Sequence, residues 1–170
     1  MPNRGDYLAL PDEKLLAQCT VETYRGSGPG GQHRNKRDSA VRLTHRPTGV
    51  VATATERRSQ HENRHRAVVR LRQAIALQVR EAPPPGGPAG PLRGVLADPA
   101  WPRVSQRSPA YLPAAAEILD RLELNQGQVS EAAKGLGVAT ASLVKFLSLD
   151  DSLWEMANRI RVRFGHKALR

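Results

Sequence analysis

The amino-acid sequence predicts an α+β fold, a small β-sheet packed on one long helix with a glycine-rich loop inserted near its start. A small all-α, helix-turn-helix-like domain is predicted to follow. Three observations lead to this prediction. Short segments of alternating apolar and polar residues lie before residue 56, and an apolar stripe at helical spacing follows them. Beyond a proline-rich stretch, the apolar spacing is again helical.

The elements of the first part follow in order from local signals. The run Pro11-Asp12-Glu13 predicts the start of a short helix, because proline and acidic residues favour a helix N-terminus. Alternation predicts strands over residues 20–24 and 40–45. Pro47-Thr48-Gly49 predicts a tight turn into a third strand over 50–55, so that the last two strands form a hairpin.

A capping box, Ser59-Gln60-His61-Glu62, predicts where the long helix begins. Apolar residues at helical spacing predict its buried face: Ala67, Val68, Leu71, Ile75 and Val79.

A proline-rich stretch separates the two parts. Eight of the 28 residues from Ala82 to Pro109 are proline, which disfavours both helix and inner strand. We therefore expect a semi-rigid linker with Trp101 as its anchor on a folded surface. The predicted domains are residues 1–81 and 110–170, joined by a linker over 82–109.

The second domain is predicted to hold four helices, over residues 112–124, 129–136, 139–147 and 153–168. A small residue, a glycine turn and an apolar anchor have the spacing of a helix-turn-helix, Ala133, Gly137-Val138 and Leu143. Three interpretations stay open: a bundle that only packs, a domain that docks on RNA or a ribosomal protein, and a DNA-binding regulator. The helix after the turn has no arginine, which disfavours base readout.

Charge indicates a polyanionic partner. The net charge is +10, and residues 34–72 alone hold eleven Lys and Arg against three acids. The last twelve residues add five bases and no acid. One cysteine excludes an internal disulfide, and no apolar run is long enough to span a membrane. The start lacks an apolar signal region, so we expect a cytoplasmic protein with no membrane partner.

The glycine-rich loop, Arg25-Gly26-Ser27-Gly28-Pro29-Gly30-Gly31-Gln32-His33, is the most unusual local sequence. It satisfies G-x-G-x-x-G, but a dinucleotide site needs an amphipathic helix directly after it, and a basic segment without an apolar face follows instead. A P-loop fails as well, because Gln32 stands where Lys-Ser/Thr is required.

Three ordered blocks resemble class I peptide chain release factors. Residues 27–36 resemble that family's Gly-Gly-Gln loop, 39–50 its following hairpin, and 58–64 the start of its long helix. The resemblance covers roughly residues 20–80. It implies a catalytic domain that enters the peptidyl-transferase centre and promotes hydrolysis of the ester between peptide and tRNA.

The resemblance also implies roles for individual residues. Gly30, Gly31 and Gln32 are expected to carry the chemistry, with the Gln32 backbone amide stabilising charge in the transition state and its side chain shaping the water pocket. No cofactor is expected. Residues expected to contact RNA are Arg25, Ser27, Gly28, His33, Arg34, Asn35, Lys36, Arg37, Arg42, Arg58, Gln60, Asn63, Arg159, Arg161 and Arg163.

The chain offers no room for the domains with which decoding release factors recognise stop codons. We therefore expect a stand-alone, codon-independent protein that rescues stalled ribosomes. Its partners would be large-subunit rRNA, peptidyl-tRNA and an auxiliary ribosome-bound protein, with the chain a monomer off the ribosome. The alternatives are a non-catalytic ribosome- or RNA-binding factor and, less well supported, the DNA-binding regulator.

One further pattern points to different chemistry. His61-Glu62-Asn63-Arg64-His65 matches the H-E-x-x-H motif of zinc proteases, with both histidines on one helical face. No third ligand follows at a suitable spacing, and the neighbouring arginines disfavour a dication. We expect no metal.

Overall fold

The computed structural model describes residues 3–25, 39–88 and 90–170. The chain divides into two compact units, Met1–Ile75 and Ala76–Arg170. The described residues form a three-stranded antiparallel sheet and eight helices, which confirms the predicted α+β class.

The first unit holds the sheet. Its elements are α1 (Arg4–Ala9), α2 (Asp12–Ala17), β1 (Cys19–Tyr24), β2 (Ala40–His45) and β3 (Val51–Ala54), and the long helix α3 (Gln60–Gln78) begins in it. The strand order is β1-β2-β3, with β2 in the centre.

Helix α3 lies against this sheet. Its side chains Ala67, Val68, Leu71 and Ile75 are buried, as the apolar stripe predicts. On the sheet, alternate residues of the central strand, Val41, Leu43 and His45, are fully buried, together with Ala52 and Ala54 of β3. Arg70 of α3 donates to the Thr53 carbonyl at 2.7 Å. The long helix and the sheet therefore share one core.

Helix α1 was not predicted, although its signal is in the sequence. The Asn3 side chain accepts from the Asp6 amide at 2.9 Å, and the Asn3 amide donates to the Asp6 carboxylate at 2.8 Å. This reciprocal pair is a capping box with Asn and Asp in place of Ser and Glu.

The second unit is helical. Its elements are α4 (Gly90–Ala97), α5 (Tyr111–Leu124), α6 (Val129–Leu136), α7 (Thr140–Leu147) and α8 (Asp151–Arg163). Gly137 adopts a left-handed conformation with φ of 69° between α6 and α7, the turn that the helix-turn-helix spacing predicts. The core is made of apolar side chains from all five helices, with Phe146 and Leu119 fully buried.

The expectation that residues 82–109 form no helix is wrong. Pro91 is the second residue of α4, where its missing N–H removes no helical hydrogen bond. Leu92 and Val95, one turn apart, are buried in the core of the second unit. Trp101 stacks on Phe146 with ring centroids 5.1 Å apart, so its predicted anchoring role is confirmed. The predicted three-part domain division stays a prediction.

The last helix is shorter than predicted. It ends at Arg163 rather than Ala168, and the chain then folds back. Gly165 has a φ of 82°, and the Leu169 amide donates to Asn158 of α8 at 2.6 Å. The basic C-terminal segment is thus part of the helical unit.

Candidate functional site

The two strands that flank the glycine-rich loop fix where it leaves and re-enters the sheet. Tyr24, the last residue of β1, pairs with Ala40, the first residue of β2. Paired residues in an antiparallel sheet lie about 5 Å apart. The segment between them therefore begins and ends at the same end of the sheet.

Residues 26–38 lie outside the described residues. They include the three predicted catalytic residues, Gly30, Gly31 and Gln32. They also include seven of the predicted RNA contacts: Ser27, Gly28, His33, Arg34, Asn35, Lys36 and Arg37. These assignments stay predictions.

Ser39, the described residue that follows this segment, is held by Asn63 of α3. The Asn63 side-chain amide donates to the Ser39 carbonyl at 2.6 Å and to the Arg57 carbonyl at 2.8 Å. Its side-chain oxygen accepts from the Arg57 backbone N–H at 3.0 Å. We call Tyr24, Ser39, Ala40 and Asn63 the loop base. One side chain thus ties the end of the loop to the β3–α3 connection.

The prediction that Asn63 contacts RNA needs correction. Its side chain is 0% exposed, because it lies on the buried face of α3 one turn before Ala67. The sequence carried a signal for this. Asn63, Ala67, Leu71 and Ile75 are spaced by four residues, which extends the apolar stripe backwards onto a polar residue. A buried asparagine on such a stripe is expected to have its hydrogen bonds satisfied inside the protein.

The β3–α3 connection is fixed at a second point by Glu56. Its carboxylate accepts from the Thr55 amide at 2.8 Å and forms an ion pair with Arg70 of α3. The hydrogen bond from Arg70 lowers the pKa of Glu56 to about 2. At the start of α3, the Ser59 hydroxyl accepts from the Glu62 amide at 3.3 Å, as in the predicted capping box.

Several predicted RNA contacts of the first unit are at its surface. Arg58 and Gln60 are exposed at the start of α3, beside the exposed Arg57 and Arg64. Arg25 is exposed directly after β1. We call Arg57, Arg58 and Arg64 the basic cluster. Because Arg57 is hydrogen-bonded to Asn63 through its backbone, this cluster adjoins the loop base.

Arg42 is also exposed, but it faces an acid across the sheet. Its guanidinium lies 4.0 Å from the Glu22 carboxylate of the paired strand. A surface pair at this distance contributes little to stability. It leaves Arg42 able to exchange its partner for a phosphate.

Other arginines of the basic region serve the fold. Arg46 donates to the Ala17 and Cys19 carbonyls, each at 2.7 Å, and so holds the end of α2 to the start of β1. Arg72 donates to the Leu8 carbonyl at 2.8 Å and to the Asp12 carboxylate at 2.7 Å. The number of basic residues in this region of the sequence is therefore larger than the number whose charged groups lack a partner within the fold.

The predicted basic residues of α8 differ in their partners. Arg159 pairs with Glu155 at 2.6 Å at the surface, and Arg163 pairs with Glu123 of α5. Arg161 instead donates to the Gly127 carbonyl at 2.7 Å and twice to the Lys167 carbonyl, at 2.9 and 3.1 Å. The Arg161 guanidinium thus binds backbone oxygens of the chain itself, and the prediction that it contacts RNA stays a prediction.

His45 lies in the core of the first unit and was not singled out for this role. Its Nε2 donates to Gln18 at 3.0 Å and its Nδ1 accepts from the Thr48 hydroxyl at 2.7 Å, while Tyr7 packs edge-on against the ring. Burial, and then the charge of Arg46, lower the pKa of this imidazole. The sequence presents it only as the end of a strand.

Within the described ranges, no three His, Cys, Asp or Glu side chains are grouped so that they could hold a metal ion. None of the helices described combines the length and apolar character needed to cross a membrane.

Comparison with known proteins gives one family match. Residues 15–85 match the family described as the RF-1 domain. Peptide chain release factor 2 of Paramagnetospirillum magneticum is 54% identical over 69 residues, 39% of this chain and 19% of that protein. Peptide chain release factor 1 of Variovorax paradoxus is 47% identical over 79 residues, 44% of this chain and 21% of that protein. Peptide chain release factor 1 of Caulobacter vibrioides is 58% identical over 62 residues, which cover 36% of this chain and 17% of that protein.

These matches confirm the resemblance predicted from the sequence, for the first part of the chain. The matched region, 15–85, contains the loop base, the basic cluster and the Gly-Gly-Gln tripeptide. The chain spans about a fifth of the length of these relatives.

Proposed function

From the RF-1 domain at residues 15–85 we infer that this chain is a peptide chain release factor, which hydrolyses peptidyl-tRNA on the ribosome. The match to this domain carries the proposal. It is supported by the loop base, since Tyr24 and Ala40 bring both ends of the Gly-Gly-Gln segment to one end of the sheet.

In the proposed reaction, water attacks the carbonyl carbon of the ester that joins the peptide to the tRNA. The bond to the tRNA 3′-oxygen breaks, that oxygen takes one proton of the water, and the other proton leaves to solvent. The products are a peptide with a free carboxylate and a deacylated tRNA. Gly30 and Gly31 would let the backbone lie close to RNA, and the backbone amide of Gln32 would donate to the oxyanion of the transition state.

The basic cluster would hold the domain on ribosomal RNA. Arg57, Arg58 and Arg64 are exposed beside the loop base, and arginine is well suited to bidentate contact with phosphate. Binding through phosphates should weaken steeply as salt is raised.

We propose in addition that release is independent of the codon and serves stalled ribosomes. In this chain the residues after the RF-1 match form the helical unit, and Arg159 and Arg163 of α8 would provide further phosphate contacts. Helix α7 carries one basic residue, Lys145, which argues against the DNA-binding alternative because base readout usually depends on several donors.

The test is peptide release from ribosomes stalled on mRNA without a stop codon. We expect wild-type protein to release a labelled peptide, and Gln32→Ala to reduce the rate by about 100-fold, because the backbone N–H stays but the side chain that shapes the water pocket is lost. Gln128→Ala, which alters an exposed glutamine before α6, is the matched control and should release at the wild-type rate.

Outcomes separate the alternatives. Equal rates with a stop codon, a sense codon or no codon in the decoding site support codon independence, whereas release only at stop codons overturns it. If the wild-type chain binds ribosomes without releasing peptide, on whole ribosomes and on isolated large subunits, it is a non-catalytic binding factor.

A further inference from the structure

We propose that Asn63 is a positioning residue for peptide release, because it fixes the point at which the Gly-Gly-Gln loop re-enters the sheet. This inference rests on the proposed function. Through its hydrogen bonds, this buried asparagine connects α3 and the β3–α3 connection to the loop base.

The geometry gives Asn63 three distinct attachments. It donates to the carbonyls of Ser39 and Arg57 and accepts from the Arg57 amide. All the amide hydrogens and the oxygen of this side chain are thereby used. Its own backbone is held in α3, where the Asn63 amide donates to the Ser59 carbonyl at 3.1 Å.

This attachment holds Ser39 directly before the buried start of β2. The loop leaves the sheet from Tyr24, whose side chain is 37% exposed, and re-enters at Ala40, which is fully buried. The hydrogen bond from Asn63 reaches the residue directly before Ala40. The re-entry point is therefore held by α3 through Asn63.

The same side chain also orients the basic cluster. The Arg57 backbone N–H donates to the Asn63 side-chain oxygen and the Arg57 carbonyl accepts from the Asn63 side-chain amide, which fixes the direction in which the chain presents Arg57 and Arg58. Asn63 thus contacts both the backbone directly before β2 and the backbone of Arg57. A small displacement of a group that acts on a reacting centre can reduce a rate by about 100-fold.

Asn63→Asp is the sharpest substitution, since it preserves size and the acceptor for the Arg57 amide. It replaces the donor to Ser39 and Arg57 with a carboxylate oxygen that faces two carbonyl oxygens. We expect the release rate at saturating ribosomes to fall about tenfold or more. The ribosome concentration for half-maximal rate should change less than the release rate, because the guanidinium groups of the basic cluster remain available to phosphates.

Amide hydrogen exchange in the full chain supplies the readout that separates positioning from general folding. In Asn63→Asp, exchange should quicken at Ala40, directly after the released Ser39, while the core amide of Leu43 in β2 stays protected. Asn125→Asp makes the same chemical change at the end of α5, and both its release rate and exchange in the first unit should match wild type.

Two results would overturn the inference. One is a release rate within twofold of wild type in Asn63→Asp, whether or not its Ala40 amide exchanges faster. The other is loss of Leu43 protection both in Asn63→Asp and in the smaller change Asn63→Ser, which would make Asn63 a general folding residue. If the wild-type chain itself releases no peptide, the proposed function fails instead, and the two failures are distinguishable.

Discussion

Helix α4 provides a direct test of whether the proline-rich stretch is part of the folded second unit. Leu92 is 0% exposed and packs in the core of that unit. Leu92→Ala removes three buried carbon groups at about 0.8 kcal/mol each, or about 2.4 kcal/mol. The cavity that remains raises the expected loss of unfolding free energy to about 3 kcal/mol.

The assay is urea unfolding followed by tryptophan fluorescence. Both tryptophans, Trp101 and Trp154, lie within Ala76–Arg170, so the signal reports on the second unit. With a denaturant slope of about 1.5 kcal/mol per M, the midpoint should fall by about 2 M. Leu124→Ala is the matched control, because this leucine is 66% exposed in α5 and its loss should change stability by less than about 0.5 kcal/mol. A Leu92→Ala midpoint equal to that of Leu124→Ala would refute the reasoning and would favour the predicted linker over residues 82–109.

Two other predictions concern buried contacts. The pKa of His45 is lower in the folded chain than in the unfolded chain, so the unfolded chain takes up the proton first and the first unit should lose stability as pH falls below about 6.5. Exchange of β2 amides at pH 7.5 and 5.5 should show this loss in wild type and in the exposed-residue control His61→Gln, but not in His45→Gln. An equal loss in all three proteins would contradict this prediction. Arg161→Leu keeps much of the aliphatic packing but removes three hydrogen bonds to backbone oxygens, so trypsin should cleave after Lys167 about tenfold faster. Arg159→Leu, which loses only an exposed ion pair, should cleave at the wild-type rate; equal acceleration in both variants would show that the segment is not held by Arg161.

The strands and the helix-turn-helix could be predicted because local signals determine them. Alternation over 20–24 and 40–45 predicts both strands, and the structure pairs Tyr24 with Ala40. Gly137 supplies the left-handed turn between α6 and α7 without the steric cost of a side chain. In each case the deciding interaction lies within a few residues or within one hairpin.

Arginine partners could not be predicted, because they are chosen over long sequence distances. Arg72 reaches the Leu8 carbonyl, 64 residues earlier in the chain. Arg161 reaches Gly127 in the same manner, 34 residues away. A guanidinium has five donors and satisfies backbone carbonyls as readily as phosphates, so composition alone does not indicate which role it takes. Only the fold shows that Arg46 and Arg72 bind backbone carbonyls of the chain itself.

Asn63 shows how a polar residue can be assigned to the wrong side of a helix. Its neighbours in sequence, Glu62 and Arg64, are exposed, and a prediction made from these neighbours places Asn63 at the surface as well. Spacing is the better guide in a helix, because residues four apart share a face, and Asn63 shares its face with Ala67. A buried asparagine on an apolar face must find partners inside the protein, and here they belong to the loop base. The asparagine is therefore expected to act on the loop from within, whereas the exposed arginines beside it act on RNA.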